Sequence, residues 1–121
     1  KKKYFQHKKV KFIQLDFEKK NIPRGYDWIF LSGTFNDKKK NSKTFMKKTL
    51  TKMFKSSKKG IVFNSLSTHV DYRDKNLFYS SPEELLSFCV KNLSKYYVIR
   101  SDYQLKKNTI PFEYSMCIKK K

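Results

Sequence analysis

Five stretches of this chain show the hydrophobic patterns of β-strands. Residues 10–17 (VKFIQLDF) and 112–118 (FEYSMCI) alternate between apolar and polar positions, which is typical of half-buried strands. Residues 27–31 (DWIFL), 60–66 (GIVFNSL) and 96–100 (YYVIR) are apolar for most of their length. Uninterrupted apolar strands are typical of parallel sheets that are covered on both faces. We therefore expect helices on both sides of the strand at 27–31.

Two further stretches repeat their apolar residues at helical spacing. The first, residues 42–54, is apolar on one face and lysine-rich on the other, and Ser42 is placed to act as its N-cap. The second, residues 81–93, begins with Ser81 in the capping position, and Glu84 three residues later completes a capping box. The sequence therefore predicts two amphipathic helices.

The order of these elements predicts an α/β fold. Strand–helix–strand units with short connections imply parallel pairing and right-handed crossovers. The last two strands are joined by a short loop at 102–108, which implies an antiparallel hairpin at one edge of the sheet. Residues 67–80 show no helical period, so we predict a long loop, and such loops in compact domains are often functional. We expect residues 1–121 to form a single domain.

The chain is strongly basic, with 29 Lys and Arg against 10 Asp and Glu and a net charge of +19. Such an excess is common in proteins that bind nucleic acids or anionic membranes. The only arginines are Arg24, Arg73 and Arg100, whereas proteins that recognise bases and phosphates are usually richer in arginine. We interpret most of the charge as solvated surface, typical of a compositionally biased genome. Nucleic-acid binding through the basic surface stays open as an alternative.

The positions of the cysteines, histidines and apolar runs bear on disulfides, metal sites and membrane segments. Cys89 and Cys117 each lie in an apolar run, as unpaired thiols do in a reducing compartment. His7 and His69 have no cysteine or histidine neighbours, so their spacing predicts no metal site. No apolar run approaches the ~20 residues of a membrane span, and the basic residues 1–3 are not followed by an apolar signal segment. We therefore expect a cytoplasmic protein with no membrane partner.

The stretch at 27–36, DWIFLSGTFN, carries the clearest indication of a ligand site. An apolar strand runs directly into Ser32 and Gly33. Glycine lets the backbone approach a ligand closely because it has no Cβ atom. Ligands of open α/β sheets bind beyond the carboxyl ends of the strands. The alternative interpretation is an ordinary turn between a strand and a helix.

Taken in order, these pieces resemble the C-terminal half of the class I S-adenosylmethionine-dependent methyltransferases. Several segments are similar in sequence to one bacterial group of small methyltransferases. The closest pieces are DWIFLSGTFN at 27–36, KKGIVFNSLS at 58–67 and DKNLFYSSPEELLSFC at 74–89. In that family the sheet order is 3-2-1-4-5-7-6, and the last strand is antiparallel. The five predicted strands look like the family's third to seventh strands. The helix at 81–93 looks like the helix between its fifth and sixth strands, and the resemblance covers about residues 4–119.

The resemblance implies a partial Rossmann-like sheet with flanking helices and a C-terminal antiparallel hairpin. It implies transfer of a methyl group from S-adenosylmethionine to an unidentified, small-molecule acceptor. The family's glycine-rich loop after its first strand and the acidic residue ending its second strand are missing here, so the chain is N-terminally truncated relative to the family. We expect the 121 residues alone to bind the cofactor weakly or not at all. A second chain that completes the sheet is one possible partner.

The resemblance also implies which residues form the site. Those on the cofactor side are Asp16, Phe17, Ser32 and Gly33. Those on the acceptor side are Thr34, Phe35, Asn36, Asn64 and Tyr79. Three of these assignments have a structural alternative. Asp16 and Phe17 could be a strand-ending aspartate before a core phenylalanine, Ser32 and Gly33 an ordinary turn, and Asn36 a helix cap. No catalytic residue is assigned, because the sequence places no carboxylate beside His69, which could otherwise serve as a general base.

Two other functions stay open. The first is a non-catalytic methyltransferase-like module that binds RNA or a protein partner through its basic surface. Neighbouring aromatic residues and lysines, as at 3–5 and 96–97, are consistent with it. The second is an unrelated lysine-rich α/β domain with another ligand. Antiparallel pairing of the strands at 10–17 and 27–31 would favour the second.

Overall fold

The computed structural model describes Gln14, residues 22–103 and residues 112–121. These residues form a mixed α/β fold with five strands and two helices. The elements in chain order are β1 (Tyr26–Leu31), α1 (Ser42–Ser56), β2 (Ser57–Ser67), β3 (Tyr79–Ser80), α2 (Pro82–Asn92), β4 (Tyr96–Arg100) and β5 (Glu113–Lys119). The strand predicted at 10–17 lies, apart from Gln14, outside the described residues, and so do Asp16 and Phe17.

The described strands form one open sheet in the order β1-β2-β5-β4, with β3 pairing beside the end of β2. β1 and β2 are parallel, and α1 connects them. β5 is antiparallel to both of its neighbours, β2 and β4. The parallel pair and the antiparallel pair at the end of the chain are therefore confirmed. The predicted loop at 67–80 contains the additional short strand β3, which runs parallel to β2.

The hydrophobic core lies between the two helices and one face of the sheet. That face carries the inward side chains of the three strands β1, β2 and β5. They pack against α1 and α2 in one buried cluster, whose members include Leu31, Met46, Leu50, Ile61, Phe63, Leu85, Cys89, Met116 and Ile118. Alternation along the strands places all of these sheet residues on the same side.

Our expectation of helices on both sides of β1 is wrong for the described residues, because α1 and α2 both cover the same face. The reason is topological. The chain moves from β1 through α1 to β2, and then onward in the same direction through α2 to β4. Right-handed crossovers that advance in one direction place their helices on one side of the sheet.

The opposite face of the sheet carries a row of apolar side chains. Phe30, Val62, Cys117 and Val98 stand opposite one another on four adjacent strands. Phe30 is 74% exposed and Val98 is 54% exposed, whereas Val62 and Cys117 between them are half-buried. Within the described part of the chain, neither helix packs over this row.

Gly60 lets β1, β2 and β5 come close together near the start of β2. A Cβ atom there would overlap the backbone carbonyl oxygen of Ile118 and lie 3.0 Å from the Trp28 ring. The backbone at Gly60 also has a φ of +152°, which side-chain-bearing residues rarely adopt. The register between β1 and β2 shifts at this point, so Gly60 belongs to a bulge.

The two helix starts differ from each other. Ser81 caps α2 as predicted, because its hydroxyl accepts the backbone N–H of Glu84 at 3.2 Å. Ser42 is instead the first residue of α1, after the N-cap residue Asn41, and its hydroxyl bonds back to the backbone of Lys39. The predicted capping role of Ser42 is therefore wrong.

Candidate functional site

The turn that follows β1 is fastened to β2 by a single side chain. The Oδ1 atom of Asn64 accepts the backbone N–H of Gly33 at 2.9 Å, and its Nδ2 atom donates to the Ser32 hydroxyl at 3.1 Å. Gly33 has a φ of +71°, the left-handed region in which glycine is favoured. The structure therefore brings together three of the predicted site residues at the carboxyl ends of two parallel strands.

The remaining turn residues divide between surface and core. Thr34 and Asn36 are half-buried, and the backbone N–H of Asn36 donates to the Gly33 carbonyl at 3.3 Å. Phe35 is only 2% exposed, and its ring packs edge-on against Phe45 and Phe63 at centroid distances of 6.0 and 6.2 Å. We expected Phe35 to face an acceptor, but its side chain anchors the turn to the core instead.

Asn36 also connects this turn to the loop before β3. Its backbone carbonyl accepts the N–H of Phe78 at 2.9 Å, and Lys38 donates its N–H to the Asn76 carbonyl at 3.1 Å. Asn36 therefore lies well before the first helical residue, Ser42, and does not cap α1. The turn and the loop form one continuous rim along this edge of the sheet.

Tyr79 braces the same rim. It pairs with Leu66 near the end of β2, and its hydroxyl accepts the backbone N–H of Asp74 at 3.0 Å. The Arg73 guanidinium lies 5.9 Å from its ring centroid. These contacts fix the segment from Asp74 to Tyr79 beside the candidate site, and they leave the Tyr79 ring half-buried.

His69 has a carboxylate partner that the sequence did not reveal. Its Nε2 atom lies 2.8 Å from Oε1 of Glu83, and both side chains are exposed. His69 also donates its backbone N–H to the Ser67 hydroxyl at 3.0 Å, just beyond the end of β2. A histidine held by a carboxylate is a suitable arrangement for a general base. The pair forms because β3 brings the start of α2 to the end of β2.

Beneath this edge lies a chain of buried hydroxyl groups. The Ser65 and Ser80 hydroxyls are 2.9 Å apart, and Ser80 lies 2.5 Å from the hydroxyl of Tyr114. Burial raises the pKa of Tyr114 to about 12, so the phenol stays neutral at ordinary pH. The sequence offered one signal for this chain, since Ser65 and Tyr114 both occupy inward positions of their strands.

A second cluster of polar side chains, formed by Tyr103, Glu113 and Ser115, lies beyond the end of β4. The Tyr103 hydroxyl donates to Oε2 of Glu113 at 2.8 Å and lies 2.6 Å from the Ser115 hydroxyl. Burial raises the pKa of Tyr103 to about 12. Next to it, the Arg100 guanidinium contacts Asp102 at 3.0 Å and holds the pKa of that carboxyl below its usual value.

A metal site and a membrane-spanning helix are both absent from the residues that the structure describes. These residues contain no group of three or more histidine, cysteine or acidic side chains that could hold a metal ion. Neither α1 nor α2, the helices of the described ranges, has the length and apolar character that a membrane crossing requires. Cys89 and Cys117 are both free thiols.

Comparisons of the chain with protein-family models, curated proteins and solved structures found no match. The site must therefore be interpreted from its own geometry. That geometry is a pinned glycine turn, a polar rim and a histidine–carboxylate pair at the carboxyl edge of a parallel strand pair.

Proposed function

We propose that this chain is part of a class I S-adenosylmethionine-dependent methyltransferase that acts on a small-molecule acceptor. The observation that carries the proposal is the strand order. The order β1-β2-β5-β4, with β5 antiparallel to its neighbours, matches the succession 4-5-7-6 at one end of that family's sheet. In a sheet of this kind, ligands bind at the carboxyl edge, which is where the Ser32–Gly33 turn lies.

The described residues suit a reaction that depends on positioning. S-adenosylmethionine, when bound, would supply a methyl group that the acceptor attacks in line, with S-adenosylhomocysteine as the leaving group. Such a displacement gains most of its rate from holding the two reactants in the correct geometry. Asn64 holds the Ser32–Gly33 turn in one conformation through two hydrogen bonds. We assign Ser32 and Gly33 to the cofactor side, and Thr34 and Asn36 to the acceptor side.

His69 and Glu83 add a group that can receive a proton. An acceptor with a hydroxyl or ammonium group must lose a proton as the methyl group is transferred. His69 lies on the segment after β2, at the same edge as the turn, and Glu83 fixes its Nε2 atom at 2.8 Å. We propose that this pair serves as the general base when the acceptor requires one.

The cofactor side of the site needs residues that these 121 do not contain. Gly25, Gly33 and Gly60 are the only glycines, and they are too far apart in the sequence to form the glycine-rich loop that follows the first strand in that family. A Cβ atom at Gly33 would have only one non-neighbouring atom within 4 Å, the Asn36 Nδ2 at 3.9 Å, so the turn has room for a ligand. We propose that the missing contacts come from further residues of the same gene product or from a second chain.

Calorimetric titration with S-adenosylhomocysteine tests the proposal. It should be carried out on the 121-residue chain and on the complete product of its gene. We expect tight binding by the complete product and weak or no binding by the 121 residues. Gly33→Val in the complete product should weaken binding at least tenfold, because valine disfavours the positive φ and fills the space above the turn. Absence of binding by both chains would overturn the proposal.

A further inference from the structure

The outward face of α1 is a continuous row of lysines. Lys43, Lys47, Lys48, Lys52 and Lys55 are all exposed, and the helix contains no acidic residue. At a rise of about 1.5 Å per residue, these lysines extend over roughly 18 Å of the helix. We call this face the lysine row. α1 carries five lysines and no acidic residue, so these charges repel one another along the helix.

A series of concavities follows the lysine row. The one beside the start of α1 shares Lys43 with the next, which shares Lys47 with a third, which in turn shares Lys52 with the last. The third concavity has a volume of about 330 Å³ and is lined by three lysines of the row and by Phe88 of α2, which is half-buried. The Lys47 ammonium lies over the Phe88 ring, 5.4 Å from its centroid. We call the joined concavities the groove, and it combines lysine side chains with one aromatic ring.

Negative charge is sparse along this groove. Among the described residues, Glu84 is the one acidic side chain that lines these four concavities, and its Oε2 atom lies 3.6 Å from the Lys43 ammonium. Other acidic residues of the described ranges lie elsewhere: Asp74 and Glu83 on the rim at the carboxyl edge of the sheet, and Asp102 and Glu113 beyond β4.

We propose that the lysine row and Phe88 bind single-stranded nucleic acid. The lysines contact the phosphate backbone, and an unstacked base lies on the Phe88 ring. A cationic track with an aromatic platform is the common design of proteins that bind single strands without sequence preference. The double helix keeps its bases stacked, so it cannot use the ring.

An anionic membrane fits this surface less well. Proteins that lie on membranes project large apolar side chains from the basic helix into the lipid. None of the strongly exposed large apolar side chains of the described residues belongs to α1 or α2. The aromatic group of the groove is instead half-buried, and the Lys47 ammonium over its ring must move aside when a base stacks there. The proposal does not depend on the methyltransferase function.

Fluorescence anisotropy with a labelled oligothymidylate of about 12 nucleotides tests the lysine row. Binding is measured between about 50 and 200 mM KCl. The variant Lys47→Gln/Lys48→Gln/Lys52→Gln should lower the slope of log affinity against log salt by about 2, since each phosphate contact to a single strand contributes about 0.7. The matched control replaces Lys95, Lys119 and Lys121 by glutamine, which removes the same charge from residues outside α1 and outside the four concavities. Its slope should stay near that of the wild-type chain.

The variant Phe88→Leu tests the aromatic platform, because leucine keeps an apolar side chain but has no ring. Affinity for oligothymidylate should fall roughly tenfold, within the range measured for base–aromatic stacking. Affinity for an abasic oligonucleotide of the same length should not change. Circular dichroism checks that both sets of variants stay folded.

Three outcomes would overturn the proposal. The first is an equal fall in the salt-dependence slope for the two triple-lysine variants, which would mean that binding depends on the total charge and not on the lysine row. The second is an equal effect of Phe88→Leu on the thymidylate and abasic strands. The third is tighter binding to phosphatidylserine vesicles than to oligothymidylate, lost in the Lys47, Lys48 and Lys52 variant, which would identify a membrane surface instead.

Discussion

Asn64 shows how one side chain can hold a neighbouring turn in place. It stands at a half-buried position of β2 and uses both ends of its amide on the neighbouring turn, at Gly33 and Ser32. Each end forms a hydrogen bond that spans more than 30 residues of sequence. The geometry of the turn is therefore set by the adjacent strand and does not depend on the turn residues alone.

Replacement of Asn64 by alanine should destabilise the chain by about 1–3 kcal/mol, because two hydrogen bonds are lost and the Gly33 N–H loses its partner. Asn64→Asp is the control. A carboxylate still accepts the N–H of Gly33, and the Ser32 hydroxyl can donate to it, so the loss should stay below about 1 kcal/mol. Urea unfolding of the two variants measures the difference. Equal losses would show that the amide does not hold the turn.

Tyr114 should make the chain sensitive to alkaline pH. Burial raises the pKa of its phenol from 10.0 to about 12, so the folded state holds the proton more tightly than the unfolded state. The resulting stabilisation is complete below about pH 10 and is lost as the pH rises towards about 12, a loss of up to roughly 2–3 kcal/mol. Tyr103 acts in the same direction.

The variant Tyr114→Phe isolates this effect, because the lysines lose their charge over the same range in both proteins. The variant should be less stable at neutral pH, since the Ser80 hydroxyl loses a partner. Its stability should, however, fall less between about pH 9 and about pH 11.5. Urea unfolding at both pH values provides the test. Parallel pH profiles for the two proteins would contradict it.

At the scale of elements, the sequence predicted most of the fold within a few residues. The helix expected at 42–54 extends to Ser56, and the strand expected at 60–66 begins at Ser57. The polar residues 57–59 hid that start, because only Ser57 is buried and Lys58 and Lys59 are exposed. β3 was missed because a strand of two residues is too short to show a hydrophobic periodicity. The partners of Asn64 and His69 could not be predicted either, since they depend on strand register and on β3.

The bulge at Gly60 should be one of the least tolerant positions of the sheet. A methyl group there would overlap the Ile118 carbonyl and require a backbone conformation that alanine disfavours. We expect Gly60→Ala to cost roughly 3 kcal/mol or more. Gly25→Ala is the control, because Gly25 also has a positive φ but no atom lies within 4 Å of the added methyl group.

Thermal unfolding compares the two glycine variants. Gly25→Ala should show only the backbone strain, about 1 kcal/mol. The difference between the variants then measures the cost of separating β2 from β5 at the bulge. Similar losses would mean that strain alone, and not close packing, keeps glycine at residue 60.

For the whole molecule, the main feature is a sheet with two unequal faces. The described helices cover one face, while the row formed by Phe30, Val62, Cys117 and Val98 lines the other. Contiguous apolar surface of this kind marks sites of association or ligand binding.

Two phenylalanines on opposite sides of β1 and its turn should respond very differently to truncation. Phe35→Ala should cost about 3–5 kcal/mol, since its ring fills the core. Phe30→Ala should change the stability of the 121 residues by no more than about 0.5 kcal/mol, since its side chain is 74% exposed. Urea unfolding of both variants is the measurement. A large loss for Phe30→Ala would show that this face is covered in solution.

The position of β5 in the sheet has a consequence for how the chain is made. β5 is the last of the described strands to leave the ribosome, yet it lies between two strands that were made earlier, β2 and β4. Until its residues emerge, both neighbours present unpaired backbone groups that can pair with other chains. Translation that stalls before residue 113 would therefore release a product with two open edges, prone to aggregation and dependent on chaperones.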